Sequence, residues 1–462
     1  MPINSFDNYY MSWVPKKPTD NTPMYKSFAQ QLEYAILSFK LPPNTLLPPQ
    51  RELADYLDVN LSTITKAYKI CEQKGYLYAI TGKGTYVSPN ALLYKNPDTT
   101  GKTMCNLRTV EPFRVSDILM EKATKRILER PAFHKLLTYQ CSDLADYHKL
   151  IACKYLQQLN VPALPTQLII SSGSQNALTI AMLSLFQAGD RIAVDSFTYH
   201  HFKMLANFLG ILLYPIENDS LGMLPERLEH ACKRYHLSGI YLMPSCSNPT
   251  AIEMPLNRRM ELSEIITKYS LLVLEDDSYR FLTNTLSPTF YELLPQQTIY
   301  INSTTKALSS GLRIAYLLYP SKLQNHLLNG ERATNLHYNS FDAEIISELI
   351  NSGDYFNIHN AKKEAAQKCN ELYNSIFNIS PNAENPYSFF RWLYTGLSNY
   401  NFIHELNEQG VSVMESQLFN AGTEHADCYI RIALSSESEL STLETSLQII
   451  KSTLRIPYNT IK

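Results

Sequence analysis

The residues best equipped for chemistry lie in one stretch, 301–313. An apolar run, 298–301, leads into small hydroxyl residues, then Lys306, Gly311 and, seven residues after the lysine, Arg313. A lysine at the end of a buried strand is desolvated. That lowers its pKa and makes the neutral amine a nucleophile towards an aldehyde. Ser303, Thr305 and Arg313 are donor types that hold a phosphate: two hydroxyls and a guanidinium fork. Lys306 therefore reads as a catalytic, Schiff-base lysine beside a phosphate-bearing aldehyde cofactor. The competing reading is a solvated lysine in a Ser/Thr loop, and the rest of the chain must decide between them.

Seven short β-rich runs, 168–170, 192–194, 211–214, 240–243, 271–274, 298–301 and 314–318, recur with helical patterns between several of them. Such alternation predicts an α/β domain with a mostly parallel seven-stranded sheet covered on both faces. Ligands of these sheets bind beyond the strand carboxyl ends, and the distinctive residues follow the runs. Ser174 and Gln175 open a helix after the first, which makes an anion site or merely a helix cap. Tyr199 follows the second, as a ring that stacks on a flat ligand or a core aromatic. Asn248 follows the fourth, as an amide for a ring oxygen or a turn asparagine. Glu275, Asp276, Asp277 and Tyr279 follow the fifth. Adjacent buried acids are costly unless paired, and an aspartate that keeps a pyridine nitrogen protonated is such a pairing. Lys306 follows the sixth. The chain from 331 onward reads as a smaller α+β lobe, with helical patterns at 343–351 and 361–377 and β-rich runs at 389–394, 411–413 and 429–434. Arg431 lies in the last, and a buried arginine demands an anion, either a ligand's or that of a structural salt bridge.

Together these residues resemble the aspartate-aminotransferase-type, fold type I pyridoxal-phosphate proteins over about residues 116–455. The resemblance implies pyridoxal 5'-phosphate bound through Lys306, with Asp276 on the pyridine nitrogen. Asn248 and Tyr279 would serve the ring 3′ oxygen, and Tyr199 would stack on the ring. Ser174, Gln175, Ser303, Thr305 and Arg313 would hold the phosphate. Tyr139 would reach the phosphate of a neighbouring subunit, and Arg431 would take a substrate α-carboxylate. Phe197 replaces a usual proline, Ala251 replaces the glycine of the Asn-Pro-Thr-Gly pattern, and the glycine shortly after Tyr139 is missing.

Residues 23–88 follow a different plan. Phe28, Leu32, Ile36 and Phe39 recur at helical steps. A short helix at 50–57 and another at 61–74 follow. The third turns Ile64, Ala67, Tyr68 and Cys71 inward and Ser62, Thr63, Thr65, Lys66 and Lys69 outward. Two strands, 76–80 and 85–87, flank a glycine-containing tip at 81–84. Three helices and a hairpin make a winged helix-turn-helix with a third helix sized for the major groove. Seven basic residues against five acids leave a local charge of only +2, so a helical protein-interaction domain is the alternative on charge alone. The motifs Arg51 to Ala54, Ser62-Thr63, Ala67-Tyr68, Gly75-Tyr76 and Gly82 to Val87 resemble the GntR-family DNA-binding domain. That resemblance implies DNA contacts from Arg51, Ser62, Thr63, Lys66, Lys83 and Gly84. Leu61 stands where the family has a DNA-contacting arginine, and Pro49 where it has a capping serine.

The chain has 462 residues, 45 % hydrophobic and 18 % charged, and a net charge of −2, so no global basic field announces nucleic acid. Eight scattered cysteines without a C-x-x-C pair argue against a structural zinc site or a disulfide framework and fit a reducing cytoplasm. No apolar run reaches membrane-spanning length, and the N-terminus lacks a signal pattern. The expected organisation is an extension at 1–22, with Trp13 packing on a domain, and a winged helix-turn-helix at 23–88. A linker at 89–115, a large aminotransferase-like domain at 116–330 and the small lobe at 331–462 complete it.

The pairing of both modules resembles the MocR-type subfamily of GntR-family regulators. It implies a cytoplasmic transcription factor that binds a double-stranded DNA operator as a head-to-tail, domain-swapped homodimer. Its aminotransferase-like domain would sense a small amino compound through aldimine exchange at Lys306. The alternatives are a working aminotransferase with a subsidiary DNA-binding module, and a vitamin B6 regulator that senses pyridoxal phosphate itself.

Overall fold

The computed structural model describes residues 11–18, 23–37, 40–42, 44–80, 82–88, 105–115, 117–138, 142–283, 286–380, 385–396, 399–422, 429–437 and 439–454. Phe39, Thr81, Tyr139 and most of the expected linker lie outside them. The chain divides into two compact units, Met1–Lys102 and Thr103–Lys462.

In the first unit, α1 (Met24–Leu37), α2 (Gln50–Tyr56) and α3 (Leu61–Gln73) precede an antiparallel hairpin of β1 (Leu77–Ile80) and β2 (Gly84–Val87). Phe28, Leu32 and Ile36 of α1 meet Ile64, Ala67, Tyr68 and Cys71 of α3 in a shared core, as their spacing predicts. Asn60 starts α3, its side chain accepting from Ser62 N at 2.9 Å, which satisfies one orphan donor of the first turn. Part of the segment ahead of α1 belongs to this core. Trp13 is buried and packs 6.4 Å from Tyr68, while Lys16 and Gln31 exchange two hydrogen bonds of 2.8 Å.

The second unit is built on seven strands: β3 (Leu168–Ser171), β4 (Arg191–Asp195), β5 (Leu212–Ile216), β6 (Gly239–Leu242), β7 (Leu272–Asp276), β8 (Thr298–Ser303) and β9 (Ala315–Leu318). Their order is β3-β9-β8-β7-β6-β4-β5. All pairs are parallel except those of β9, which runs against both β3 and β8. β3, β6, β8 and β9 are buried along their whole length, which is why they read as continuous rather than alternating apolar runs. The helix α4 (Ser174–Leu185) follows β3.

The small lobe holds α5 (Ser340–Ser352), α6 (Asp354–Phe377) and an antiparallel sheet. That sheet is formed by β10 (Phe390–Tyr394), β11 (Met414–Glu415) and β12 (Tyr429–Ala433), in the order β10-β12-β11. Residues 105–115, the described end of the expected linker, lie against this lobe. Cys105–Asn106 pairs parallel to Val411–Ser412, Leu107 and Ala433 share a 2.9 Å backbone bond, and Phe113 sits edge-on to Phe389 at 4.9 Å. The buried side chains of Leu107 and Phe113 drive this docking.

Candidate functional site

The site forms at the carboxyl edge of the large sheet. Ser303, Ala315 and Ser171 stand side by side across β8, β9 and β3, so the loops after β3 and β8 open at the same place. The buried hydroxyl of Ser303 accepts from Thr305 N at 3.2 Å and caps a one-turn helix, Thr304–Ala307, that carries Lys306. Lys306 Nζ donates to the carbonyl of Val110. Burial first, and the charge of Arg431 next, pull its pKa down to about 8. About a tenth of the amine is then neutral at pH 7, against less than about a thousandth for an ordinary lysine.

The expected phosphate ligands gather beside it. α4 begins after Gly173, whose φ is +92°. A Cβ at Gly173 would lie 2.9 Å from Arg313 Nη2, so the guanidinium rests against the bare α-carbon at a helix N-terminus, where donors face outward. Gln175 Oε1 is buried without a hydrogen-bond partner among the described residues. The hydroxyls of Ser303 and Thr305 are 3.0 Å apart. Ser174 is the first residue of α4 and half-buried. Tyr139 lies outside the described residues.

Three successive acids leave β7, and the structure separates their tasks. Glu275 accepts from the backbone N–H of Phe290 at 3.0 Å and of Tyr291 at 2.9 Å. Asp277 accepts from the Tyr300 hydroxyl at 3.2 Å and pairs with Arg280 at 3.5 Å. Asp276 instead accepts from Ser278 Oγ at 2.7 Å and from the Tyr241 hydroxyl at 3.1 Å. Burial raises its pKa, opposed by those two hydrogen bonds. Its charge acts on Tyr199, as do those of Arg431 and Arg313, and burial pushes the Tyr199 hydroxyl up to about 12. That hydroxyl lies 3.1 Å from His201 Nδ1. Tyr279 is buried, with its ring against Phe390 at 5.7 Å.

Arg431 is 3 % exposed on β12. Its guanidinium donates to Asn248 Oδ1 at 2.9 Å, to the Arg108 carbonyl at 2.5 Å and to Met414 Sδ at 2.8 Å, while Nε has no partner among the described residues. It lies 4.9 Å over the Phe419 ring. All these partners are uncharged, and burial lowers its pKa to about 10. The salt-bridge alternative is not seen among the described residues. A buried cation with neutral partners is suited to an anionic ligand. Lys306 thus feels the charges of Arg431, Glu111 and Arg313, and Asp276 acts with Arg431 and Arg313 on Tyr199. This donor set fits a phosphate, a protonatable ring nitrogen and a further carboxylate.

Two of the three departures from the aminotransferase pattern also have places; the third, after Tyr139, begins outside the described residues. Phe197 sits edge-on to Trp392 at 5.1 Å and bridges to Asn420, tying the loop after β4 to the small lobe. Ala251 adopts φ +61° after the cis Asn248–Pro249 bond.

Sequence reasoning missed several groups. The Val110 and Arg108 carbonyls are backbone atoms and carry no side-chain signal. Tyr241 reads as a core aromatic, and only the β6–β7 pairing brings it to Asp276. Lys203 Nζ, which donates to the carbonyls of Leu418 at 2.9 Å and of Asn420, looks like any helix lysine. Lys362 did leave a trace: it interrupts the buried stripe of Ile358, Ala366 and Cys369 on α6.

In the first unit, Arg51, Ser62, Lys66, Lys83 and Gly84 are exposed and Thr63 half-buried, so five of the six expected contacts are fully accessible to a ligand. Lys66 Nζ stands 5.7 Å over the Tyr25 ring. Thr65 Oγ1 donates to Gln50 Oε1 at 2.8 Å and ties α3 to α2. Pro49 leaves α2 without a side-chain cap, and Leu61 is 39 % exposed. Gly84 has φ +119°, and a Cβ there would meet Leu46 Cδ1 at 2.8 Å.

Comparison with known proteins agrees with both halves. Residues 24–87 match the model described as bacterial regulatory proteins, gntR family, and residues 105–447 match aminotransferase class I and II. The chain is 34 % identical to the uncharacterized HTH-type transcriptional regulator YdeF of Bacillus subtilis, over 98 % of each. It is 26 % identical to the probable rhizopine catabolism regulatory protein MocR of Rhizobium meliloti, over 73 % of this chain and 74 % of that one. Among solved structures, kynurenine aminotransferase of Pyrococcus horikoshii, in complex with PMP, superposes with a TM-score of 0.69 at 19 % identity. That match covers 77 % of this chain and 91 % of that one, and it shows the fold.

Proposed function

The chain belongs to the aminotransferase class I and II family, joined to a GntR-family helix-turn-helix as in MocR-type regulators, and we propose that it is a transcriptional regulator that depends on pyridoxal phosphate and senses an amino compound. The observation that carries this reading is the charge arrangement of the pocket. Lys306 lies in the field of Arg431, Glu111 and Arg313, Asp276 acts together with Arg431 and Arg313 on Tyr199, and the buried Arg431 has only uncharged hydrogen-bond partners among the described residues. When bound, pyridoxal phosphate supplies an aldehyde and an electron-withdrawing ring.

The chain's own residues do the rest. Arg313, Ser303, Thr305, Ser174, Gln175 and the first N–H groups of α4 hold the phosphate. Asp276 keeps the ring nitrogen protonated, with Tyr241 and Ser278 fixing its carboxylate. Asn248 gives its amide oxygen to Arg431, which leaves its amide donors for the ring oxygen beside Tyr279. Lys306, whose pKa is lowered, would present its neutral amine to the cofactor's aldehyde carbon. Arg431 takes the incoming carboxylate, and exchanging the Arg108 carbonyl for it shifts the segment 105–115 that leads from the DNA-binding unit. A ligand acts by its differential affinity for the two states of that segment. Arg51, Ser62, Thr63, Lys66, Lys83 and Gly84 contact an operator, and a domain-swapped homodimer sets two such units on its half-sites.

A second reading, a working transaminase, is favoured by the completeness of the set Lys306, Asp276 and Arg431. Steady-state turnover with amino and keto acids separates the two. Many cycles support the enzyme, and at most one half-reaction supports the sensor. The shared premise is tested by adding pyridoxal phosphate to wild type and Lys306→Ala. A visible band in wild type alone is expected, and its absence from both contradicts the reading.

A further inference from the structure

One lysine lies in the buried stripe of α6. Lys362 is 1 % exposed, between Ile358 and Ala366. Its Nζ donates to the carbonyl of Lys306 at 3.0 Å and to that of Leu308 at 2.6 Å. Both carbonyls lie at the end of the one-turn helix Thr304–Ala307, where no further turn supplies N–H partners. A cation is also the favoured charge at a helix C-terminus.

The charges acting on Lys362 are those of Lys306 and of Asp117, and its own charge acts on His359. Burial and Lys306 lower its pKa to about 7. An apolar side chain would fill the same stripe without burying a charge. What the lysine adds is its hold on the two carbonyls, one of which is the backbone of Lys306 itself. No helix of several turns braces Lys306. Its turn is secured by the Ser303 cap at one end and by Lys362 at the other.

Resting on the reading of Lys306 as the reactive amine, we propose that Lys362 is a positioning residue that fixes the turn from which the Lys306 side chain extends. It does not itself touch the ligand.

The test uses the full chain as wild type, Lys362→Met, Lys362→Gln and Lys362→Arg. Two rates are measured: growth of the visible band with added pyridoxal phosphate, and acetylation of Lys306 by acetic anhydride, mapped by mass spectrometry. Exposed Lys322 is the internal control for the second. Losing two charge-assisted bonds predicts about a tenfold slower capture in the Met and Gln variants. Lys362→Arg, which keeps the charge and the donors, should return to within about threefold of wild type. Lys306 acetylation should change in the same order while Lys322 acetylation does not. The Gln variant carries the comparison if the Met variant does not fold. Wild-type rates in the neutral variants overturn the positioning role. Equal slowing in all three, matching their loss of thermal stability, overturns it as well, because that marks a merely structural lysine. If no variant, wild type included, gives a band, the cofactor reading fails. The acetylation order then decides Lys362 by itself, and equal rates reject it.

Discussion

Arg431 and Asn248 are joined by a 2.9 Å hydrogen bond across the two lobes, from Nη1 on β12 to the amide oxygen in the loop after β6. The bond couples the group suited to a carboxylate to the group suited to a ring oxygen.

Arg431→Gln removes the buried charge and keeps a donor. Binding of amino acids to the cofactor-loaded protein should weaken by about ten- to a hundredfold. Binding of the corresponding amines, which lack the carboxylate, should change little. Spectral titration with matched pairs of amino acid and amine checks this, and equal losses for both would remove the carboxylate role.

Capture of pyridoxal phosphate should depend on pH through Lys306. Only the neutral amine attacks an aldehyde, and its pKa is lowered to about 8. The rate should rise about tenfold per pH unit below that value and level off above it. Stopped-flow absorbance from pH 6 to about 10 reads the profile. A rise that continues without levelling up to about pH 10 would mean an ordinary, solvated lysine.

Each of the seven expected runs became a strand; most were legible because buried strands are continuous apolar runs, while β5 is largely exposed. Most of the candidate site residues were picked out because they follow those runs. What was not legible depends on pairing across the fold. Nothing local marks Val110 or Arg108 as partners of Lys306 and Arg431, since backbone carbonyls look alike in any sequence. The differing partners of the neighbouring acids are of this kind: Asp276 accepts from Tyr241 and Asp277 from Tyr300, on the flanking strands. The proline-punctuated stretch before residue 115 looked like a tether, yet Leu107 and Phe113 are buried in the small lobe.

Ala251→Gly should stabilise the second unit by about 1 kcal/mol. Ala251 holds φ +61°, which costs an L-residue about 1–2 kcal/mol, partly offset by the greater chain entropy of glycine. Thermal unfolding of the cofactor-free protein measures it, and a lower melting temperature would show that the Ala251 methyl packs too well to lose.

Gly84→Ala places an L-residue at φ +119°, beyond the left-handed helical region, with the movable end of half-exposed Leu46 2.8 Å away, so it should destabilise the winged helix by about 1–3 kcal/mol, mostly through φ. DNA affinity should fall while cofactor capture in the second unit is unchanged. Gly82→Ala, with φ +77° but open space around it, should cost less. The two variants are compared by thermal unfolding and gel shift, and equal effects would show that the difference in φ between the two positions does not matter.

The most direct measurement is the dissociation constant for the DNA upstream of the protein's own gene. It is taken at fixed salt for wild type and Lys306→Ala, with pyridoxal phosphate alone and with a mixture of the common amino acids and amines. The expected result is that the mixture changes the affinity of wild type and leaves that of Lys306→Ala where it was. Identical responses in the two proteins would contradict a sensor working through Lys306.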